Sequence, residues 1–436
     1  MKVRLMFRLI VVTLSIWLAA ISSPLAAQAA AESEAVSSEI LQSRANEALE
    51  ALAGRANAEG VFAPSFLEAV PPAQLSAISA QLVSQFGALQ SVERVEPTGT
   101  HGARVSFRFE KAIGVGMMEL EPVKPHLVAG LQLTRFDPLD DSADKIRADL
   151  AAMPGDVSVW FGTLDGKRVH LAHNSDAPLA IGSAFKLYVL SALTRQIGDG
   201  KLQWDTVIPL ARTSFPSGML QDWPKGAPVT AHTLASLMIA ISDNTATDQL
   251  IDTVGRGAVE AEMRRSGHAN ASANLPFLNT FELFALKGDP QLAARFIAAD
   301  EAGKRALLAG LADQSGNEPS RIAPPTFSTP TAIDTLEWFA STQDLRKIMQ
   351  MIVQQNDPAA MAILAISPNM GAETLEKWNY AGFKGGSEPG VLNLTWLVQD
   401  KDGTHHVLVM TANNPDAVIA HPPLELLSQR VLALPR

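Results

Sequence analysis

Three short motifs contain the residues whose types and spacing could support nucleophilic chemistry. The first, Ser183-Ala184-Phe185-Lys186, sets a serine and a lysine three positions apart, and on a helix such positions share a face. A neutral lysine amine there could take the serine proton and make a nucleophile without a histidine. The motif opens an apolar run, 187–193, so we expect burial at a helix start, where backbone N–H groups could also hold an oxyanion.

The second and third motifs are Ser242-Asp243-Asn244 and Lys384-Gly385-Gly386-Ser387. Each alone has a structural interpretation. Ser242-Asp243-Asn244 could be helix caps, and Lys384-Gly385-Gly386-Ser387 could be a loop that enters a strand. The three motifs occur in the order S-x-x-K, S-D-N, K-x-G, with 59 and 142 residues between their leading positions. Together they indicate a catalytic site more strongly than any one of them does.

A second S-x-x-K pattern, Ser142-Ala143-Asp144-Lys145, offers a comparison within the same chain. It lies in an acidic turn at the start of a predicted helix, so Ser142 is predicted to be an N-cap and not a nucleophile. His170 and His173 are three apart on a predicted strand and should face opposite sides, which is poor geometry for a metal site. The sequence predicts neither a metal nor a cofactor.

Composition restricts the class of protein. The chain has 436 residues, a formal net charge of -10, 47% hydrophobic and 18% charged residues, and no cysteine. The length favours two or three domains, and the apolar content excludes a mainly disordered or fibrous protein. An acidic balance disfavours nucleic-acid binding. Without cysteine, disulfides, thiol catalysis and cysteine-ligated zinc are excluded.

Residues 1–29 have the pattern of a secretory signal peptide. Three basic residues precede the apolar run from Leu9 to Ile21, and cleavage is expected after Ala29. The run is shorter than the roughly 20 apolar residues of a membrane span, although an uncleaved anchor is the alternative. We expect an exported protein, periplasmic or secreted, without a stable membrane span.

The periodicity of the remaining chain predicts two domains, each of mixed helix and sheet. In residues 30–138, helical spacing is followed from Ser91 by a period of two, which indicates a small α+β domain with a curved antiparallel sheet. In residues 139–436, a hairpin precedes a mostly helical stretch, two strands and a last helix. This order predicts a second α+β domain whose sheet takes strands from both ends of the segment.

On the three motifs and this order of elements, residues 139–436 resemble the class A serine β-lactamases and the wider penicillin-interacting hydrolases, including D,D-peptidases. The segment from Met238 to Ala246 is similar to the family's form of the second motif. The resemblance implies an acyl-enzyme on Ser183, with Lys186 as its general base or part of a base network.

The same resemblance implies roles for the other motif residues. Ser242 would pass a proton toward the leaving group, and Asn244 would hold the substrate amide. Lys384 would face the substrate carboxylate. The backbone N–H groups of Ser183 and Ser387 would form the oxyanion hole, and Gly386 and Ser387 would bind the substrate.

The chain departs from the family pattern at three places. Leu275 stands where an omega-loop glutamate should position the deacylating water, although Asn279 of that pattern is present. Glu282 is either a substitute for that glutamate or a solvated helix residue. Gly385 replaces a hydroxyl residue, and no Arg or Lys occurs between Lys384 and Lys401. Acylation is therefore expected, while rapid β-lactam turnover is in doubt.

An insertion at about 286–340 is predicted to add a helix, Pro290 to Ala312, and a Pro-rich loop, Gly316 to Pro330. Such a segment beside an active site serves as a lid or substrate wall, or is a solvated decoration. The pairing with a small first domain resembles the serine hydrolase family of the clavulanic acid pathway, on Phe62–Phe66, Val70–Pro72 and the strand pattern. Its first domain is isomerase/cyclase-like and similar to nuclear transport factor 2.

The sequence thus predicts an exported serine hydrolase that acts on a small molecule, a β-lactam or a small ester or amide, through an acyl-enzyme on Ser183. Esterase activity competes with β-lactamase activity as the interpretation. The motifs would also fit a D,D-peptidase or a catalytically impaired acyl-binding protein. Retention of Ser183, Lys186, Ser242 and Lys384 argues against a pure binder.

Overall fold

The computed structural model describes residues 35–315 and 328–436. The predicted signal peptide and most of the predicted loop from Gly316 to Pro330 lie outside the described residues. The chain divides into two compact units, Met1–Asp140 and Asp141–Arg436. None of the helices in the described part of the chain is long and apolar enough to cross a membrane.

The first unit places three helices before a four-stranded antiparallel sheet. The helices are α1 (Ser38–Leu52), α2 (Pro64–Ala69) and α3 (Pro72–Phe86). The strands are β1 (Leu89–Thr98), β2 (Gly102–Phe109), β3 (Ala112–Leu120) and β4 (Val128–Pro138), in that order across the sheet. Proline at the first position of α2 and of α3 suits a helix start, where an N–H has no partner. Register shifts in two of the strand pairs are the irregularities that bend a sheet.

Aromatic side chains fill part of the space between the helices and this sheet. The rings of Phe86 and Phe136 stack with centroids 4.4 Å apart, and Phe109 lies tilted against both of them. All three side chains are buried. The alternation that predicted the strands therefore reflects one face that packs against helices and one that does not.

The second unit contains a five-stranded antiparallel sheet. Its strands are β5 (Asp156–Thr163), β6 (Val169–His173), β11 (Tyr380–Glu388), β12 (Val391–Gln399) and β13 (His405–Asn413). Their order across the sheet is β11-β12-β13-β5-β6. Short pairs join β7 (Leu179–Ala180) to β10 (Phe339–Ala340) and β8 (Val207–Pro209) to β9 (Pro228–Thr230). The predicted α+β fold, with a sheet built from both ends of the segment, is confirmed.

Helices cover both faces of this sheet. The helices of the second unit, within the described residues, are α4 (Ala143–Ala152), α5 (Lys186–Gly198), α6 (Ala231–Ala240), α7 (Asn244–Val254), α8 (Arg256–Arg265), α9 (Thr280–Gly288), α10 (Pro290–Ala298), α11 (Glu301–Ser315), α12 (Thr342–Gln354), α13 (Pro358–Leu364), α14 (Ala372–Leu375) and α15 (His421–Leu432). On β12, Leu397 joins the core shared with α5 and α12, whereas Trp396 joins the core shared with α4 and α15. Burying a large apolar side chain of this kind contributes about 1.5–3 kcal/mol.

The insertion differs from the predicted single helix Pro290 to Ala312. It forms α10 and α11, separated at Ala299 and Asp300, where the Asp300 carboxylate accepts the Gly303 N–H at 2.8 Å and caps α11. Leu308 joins the main core of the unit, and Leu311 packs with Phe215 and Phe281. The described part of the insertion is therefore a packed element of the unit, and the interpretation as a solvated decoration is wrong for it.

Ser142 has the structural role that the sequence predicts. Its side chain accepts the backbone N–H of Lys145 at 3.2 Å and forms the N-cap of α4. The serine of this second S-x-x-K pattern therefore caps a helix terminus.

Candidate active site

Ser183 lies in the short turn Gly182–Phe185, a 3₁₀ helix that leads directly into α5. Gly182 has φ +47°, a left-handed conformation that costs glycine little, so the chain can reverse sharply before the serine. The Ile181 N–H donates to the Trp338 carbonyl at 3.0 Å, and the Phe185 ring stacks on Trp338 with centroids 3.7 Å apart. The turn that carries Ser183 is thus fixed on both sides.

Lys186 is the first residue of α5 and is fully buried. Its Nζ lies 2.7 Å from the Ser242 carbonyl oxygen, 3.0 Å from Ser242 Oγ and 2.7 Å from Asn244 Oδ1. Burial, and then the nearby cation Lys384, lower the pKa of Lys186 well below its usual value. A neutral amine can act as a proton acceptor, which a permanently charged one cannot.

The second motif supplies both a helix cap and two site residues. The Asp243 side chain caps α7 by accepting the Ala246 N–H at 2.8 Å. Its other oxygen accepts two backbone N–H groups, those of Met219 and Leu220. Capping is therefore the role of Asp243, whereas the side chains on either side of it contact Lys186.

Ser242 joins the two lysines of the site. Its Oγ lies 3.0 Å from Lys186 Nζ and 3.2 Å from Lys384 Nζ. Burial lowers the pKa of Lys384 to about 7. Ser242 has φ +57°, a conformation that is uncommon for residues other than glycine and is concentrated at functional sites. The hydroxyl can therefore exchange a proton with a group on either side.

Strand β11 approaches the Ser183 turn so closely that Gly386 can have no side chain. A Cβ on Gly386 would lie 2.2 Å from the Ile181 carbonyl oxygen and 2.5 Å from the Ser183 nitrogen. A Cβ on Gly182 would lie 3.1 Å from the Ser387 nitrogen. The backbone nitrogens of Ser183 and Ser387 therefore both border this close approach of β11 to the turn.

The Phe383 ring occupies the space that a side chain at position 385 would need. An ideal Cβ on Gly385 would lie 2.9 Å from Cζ of the Phe383 ring. That ring packs on Trp396 with centroids 4.9 Å apart. A hydroxyl side chain at this position could fit only if the Phe383 ring moved.

The loop that should serve deacylation is apolar at its first position. Leu275 is buried, with 8% of its surface exposed. The Asn279 side chain caps α9 by accepting the Glu282 N–H at 2.8 Å, and the Glu282 carboxylate accepts the Asn279 N–H at 2.9 Å. This reciprocal capping box uses both predicted loop residues in local structure.

Glu282 is not a solvated helix residue, because only 5% of its surface is exposed. Its two carboxylate oxygens lie 2.5 Å and 2.9 Å from the Arg256 guanidinium. Arg256 also donates to the Phe277 carbonyl at 2.6 Å. Because the carboxylate is committed to this ion pair and to the cap, the geometry favours a structural role for Glu282 over water activation.

Asp248 is a site-supporting residue that the sequence analysis did not identify. It is fully buried and accepts the Thr280 N–H and hydroxyl, each at 2.7 Å, and the Phe281 N–H at 2.9 Å. Burial raises the pKa of Asp248. Its position four residues after Asn244, on the same helix face, was the available signal. Through these bonds Asp248 holds the start of α9 against α7.

The two histidines of the predicted strand have different surroundings. His170 Nε2 lies 3.2 Å from His406 Nδ1, and His406 Nε2 lies 2.9 Å from Asp400. His173 instead lies beside the side-chain amide of Asn174. Within residues 35–315 and 328–436, no group of three or more His, Cys, Asp or Glu side chains is arranged to bind a metal ion.

Comparison with known proteins gives one family and a set of distant structures. A model described as the β-lactamase enzyme family matches residues 141–429. A β-lactamase structure from Sphaerobacter thermophilus is 21% identical, over 66% of this chain and 93% of that one, with a TM-score of 0.45. A β-lactamase from Chitinophaga pinensis is 16% identical, over 66% and 96%, with a TM-score of 0.45.

A mutant of PBP-A, solved as an acyl-enzyme complex with penicillin G, is 19% identical over 66% of this chain and 92% of that one, also with a TM-score of 0.45. No curated protein sequence matches the chain.

Proposed function

The chain belongs to the β-lactamase enzyme family, and we propose that it is an exported serine hydrolase of the class A type that forms an acyl-enzyme on Ser183. The observation that carries the proposal is the buried Lys186 amine, within 3.0 Å of Ser242 and Asn244 at the end of the Ser183 turn. A lysine with no exposed surface and a lowered pKa is suited to accept a proton.

Acylation would proceed as nucleophilic addition and elimination. Ser183 Oγ attacks the substrate carbonyl while its proton passes to Lys186. The oxyanion that forms lies between the backbone N–H groups of Ser183 and Ser387. Collapse of this intermediate breaks the bond to the leaving group, which takes a proton from Ser242 Oγ. Lys186 Nζ, 3.0 Å away, returns the proton of Ser183 to Ser242 Oγ, so that both side chains end neutral. The Asn244 side chain helps to position Lys186, because its Oδ1 accepts from Lys186 Nζ and its Nδ2 donates to the Phe215 carbonyl at 3.1 Å.

We propose a small ester or amide as the preferred substrate. We propose that β-lactams also acylate Ser183, but that hydrolysis of the resulting acyl-enzyme is slow. A pKa of about 7 leaves Lys384 only partly charged near neutral pH. No Arg or Lys occurs between Lys384 and Lys401. The site therefore attracts a substrate carboxylate only weakly. This weakness lowers the affinity for a penicillin, which has a carboxylate, but not the affinity for a neutral ester.

A D,D-peptidase-like activity, or acyl binding without turnover, is the second candidate. The specific observation in its favour is the apolar, buried Leu275, which has neither donor nor acceptor for a water. The carboxylate nearest in sequence, Glu282, is paired with Arg256. Both features support slow deacylation of a bulky acyl group.

Introducing a carboxylate by Leu275→Glu is expected to speed penicilloyl-enzyme hydrolysis by about 100-fold, since a positioned general base contributes roughly 100- to 10,000-fold. The measurement is the decay of the penicilloyl adduct by intact-protein mass spectrometry. The control is the single substitution Glu282→Gln, whose adduct we expect to decay at the wild-type rate. If wild type hydrolyses penicillins with no detectable adduct, another group activates the water.

For the parts of the chain outside the family match, we propose export to the periplasm or medium and an isomerase/cyclase-like first domain. Export is supported by the sequence of residues 1–29. The resemblance to the serine hydrolase family of the clavulanic acid pathway is supported by three helices ahead of a four-stranded antiparallel sheet. N-terminal sequencing of the exported protein would test cleavage after Ala29, and an intact N-terminus would contradict it.

Two reagents test the proposed function directly. The purified protein is incubated with penicillin G and with an activated ester, and mass spectrometry follows adduct formation and release. We expect a long-lived penicilloyl adduct on the peptide that contains Ser183, and turnover of the ester. An adduct on any other peptide, or no reaction with either reagent, would reject the proposal.

A further inference from the structure

Three ionisable side chains other than the lysine pair meet in the interior of the second unit. Lys287 Nζ lies 2.6 Å from Glu337 Oε1 and 2.5 Å from Glu388 Oε1. The exposed fractions of the three side chains are 0%, 1% and 15%. Burying such charges is costly, so a cluster of this kind is not by itself a source of stability. Its position relative to the site suggests another reason for it.

Each member of the cluster belongs to a different wall of the site. Glu388 directly follows Ser387, at the end of β11. Glu337 directly precedes Trp338, whose carbonyl accepts the Ile181 N–H and whose ring stacks on Phe185. Lys287 lies in the last turn of α9, the helix that the Asn279 capping box begins. One ammonium group therefore connects the strand, the Ser183 turn and the loop.

Strand β11 needs such a connection because it is an edge strand. In the five-stranded sheet its one neighbour is β12. Its other edge meets the Ser183 turn through the close approach at Gly386, where a Cβ would be 2.5 Å from the Ser183 nitrogen. Two residues later the strand ends at Glu388, and the bond from Lys287 holds that end.

We propose that Lys287 is a positioning residue. Through Glu388 and Glu337 it keeps the Ser387 N–H group beside the Ser183 N–H group, so that both donate to the oxyanion. The inference rests on the proposed acyl-enzyme chemistry. Lys287 has no exposed surface and acts on the reaction only through the strand end and the turn that it connects.

The protonation of the cluster fits this role. Burial alone would lower the pKa of Lys287, but the carboxylates of Glu337 and Glu388 outweigh it and the pKa is raised. Burial, and then the Glu337 carboxylate, raise the pKa of Glu388 to about 9. Near neutral pH the Glu388 side chain is thus protonated and neutral. A glutamine at 388 is neutral as well, with an oxygen for Lys287 and an N–H group for Glu337.

The test compares the acylation rates of four full-length proteins over a series of penicillin G concentrations that reaches saturation: wild type, Lys287→Met, Glu388→Gln and a control, Glu262→Gln. In the control, a buried carboxylate paired with Arg195 and Ser191 is changed elsewhere in the unit. Because a misplacement of about 1 Å can cost roughly 100-fold, we expect Lys287→Met to slow acylation by about 100-fold. The penicillin concentration that gives half the maximal rate should change little. Glu388→Gln should acylate at close to the wild-type rate, and so should Glu262→Gln, even where its melting temperature falls.

Three results would overturn the positioning role. The first is wild-type acylation by folded Lys287→Met. The second is a loss that matches only the unfolded fraction measured by circular dichroism. The third is a Glu388→Gln protein that acylates normally but deacylates more slowly than wild type, because Glu388 would then act on the water itself. If Lys287→Met does not fold, Glu388→Ala removes the same connection from its more exposed side and should show the same loss. Absence of any adduct in wild type would instead reject the proposed function.

Discussion

Replacing Ser183 by alanine is expected to abolish covalent labelling by a penicillin or a fluorophosphonate, because the variant has no hydroxyl to accept the acyl or phosphonyl group. Intact-protein mass spectrometry gives the labelled fraction directly. Lys186, Ser242 and Lys384 stay in place in this variant, so noncovalent binding should persist. Full labelling of Ser183→Ala would show that another residue is the nucleophile.

The chain supplies its own control in the second S-x-x-K pattern. Ser142→Ala should leave labelling at the wild-type level, because the Ser142 side chain serves only the Lys145 N–H at the start of α4. Its expected effect is a loss of about 1 kcal/mol in the free energy of unfolding, the usual contribution of an N-cap. Loss of labelling in Ser142→Ala with the fold intact would contradict the assignment of the two serines.

Replacing Lys186 by arginine is expected to slow acylation of Ser183 by about 100- to 10,000-fold, the usual contribution of a general base. Arginine retains the positive charge and much of the reach but does not lose its proton in proteins. Rapid mixing with saturating penicillin, followed by mass spectrometry, measures the acylation rate. A Lys186→Arg protein that acylated at the wild-type rate would refute the base role.

The pH dependence of wild-type acylation gives a second readout of the same residue. Acylation should slow as the pH falls, because protonation of Lys186 removes the acceptor. Since burial and Lys384 lower the pKa of Lys186 well below its usual value, the rate should stay at its plateau well below pH 10. Lys347→Arg, which changes a lysine near the surface, should leave both the rate and its pH profile unchanged.

Much of the candidate site followed from local sequence because its parts are defined locally. A serine and a lysine three apart meet on a helix, and an apolar run after them implies burial. The contrast between Ser183 and Ser142 rested on such context, and the N-cap prediction for Ser142 is confirmed. The glycine of the third motif is also explained, because a side chain on Gly386 would collide with the Ser183 turn.

The partners of buried charges could not be predicted from the sequence. The sequence does not decide between a catalytic and a solvated role for Glu282, because its partner, Arg256, is 26 residues away and is brought to it by packing. Lys287 and Glu388 are 101 residues apart. No periodicity predicts such pairs, since charge pairing at long range depends on the tertiary fold. The break between α10 and α11, by contrast, carried a local signal in Asp300.

The central strand pair of the second unit joins distant parts of the chain. In β5 and β13, Asp156 lies opposite Asn413 and Thr163 lies opposite His406. A ribosome must therefore synthesise nearly the whole unit before β5 can acquire this neighbour. Contacts so distant in sequence form slowly because a long loop must close before they contribute. Although β6 can pair with β5 early, the nascent chain should consequently display the other edge of apolar β5 without its β13 partner for much of its synthesis. Chaperones that bind extended apolar segments would have time to capture it.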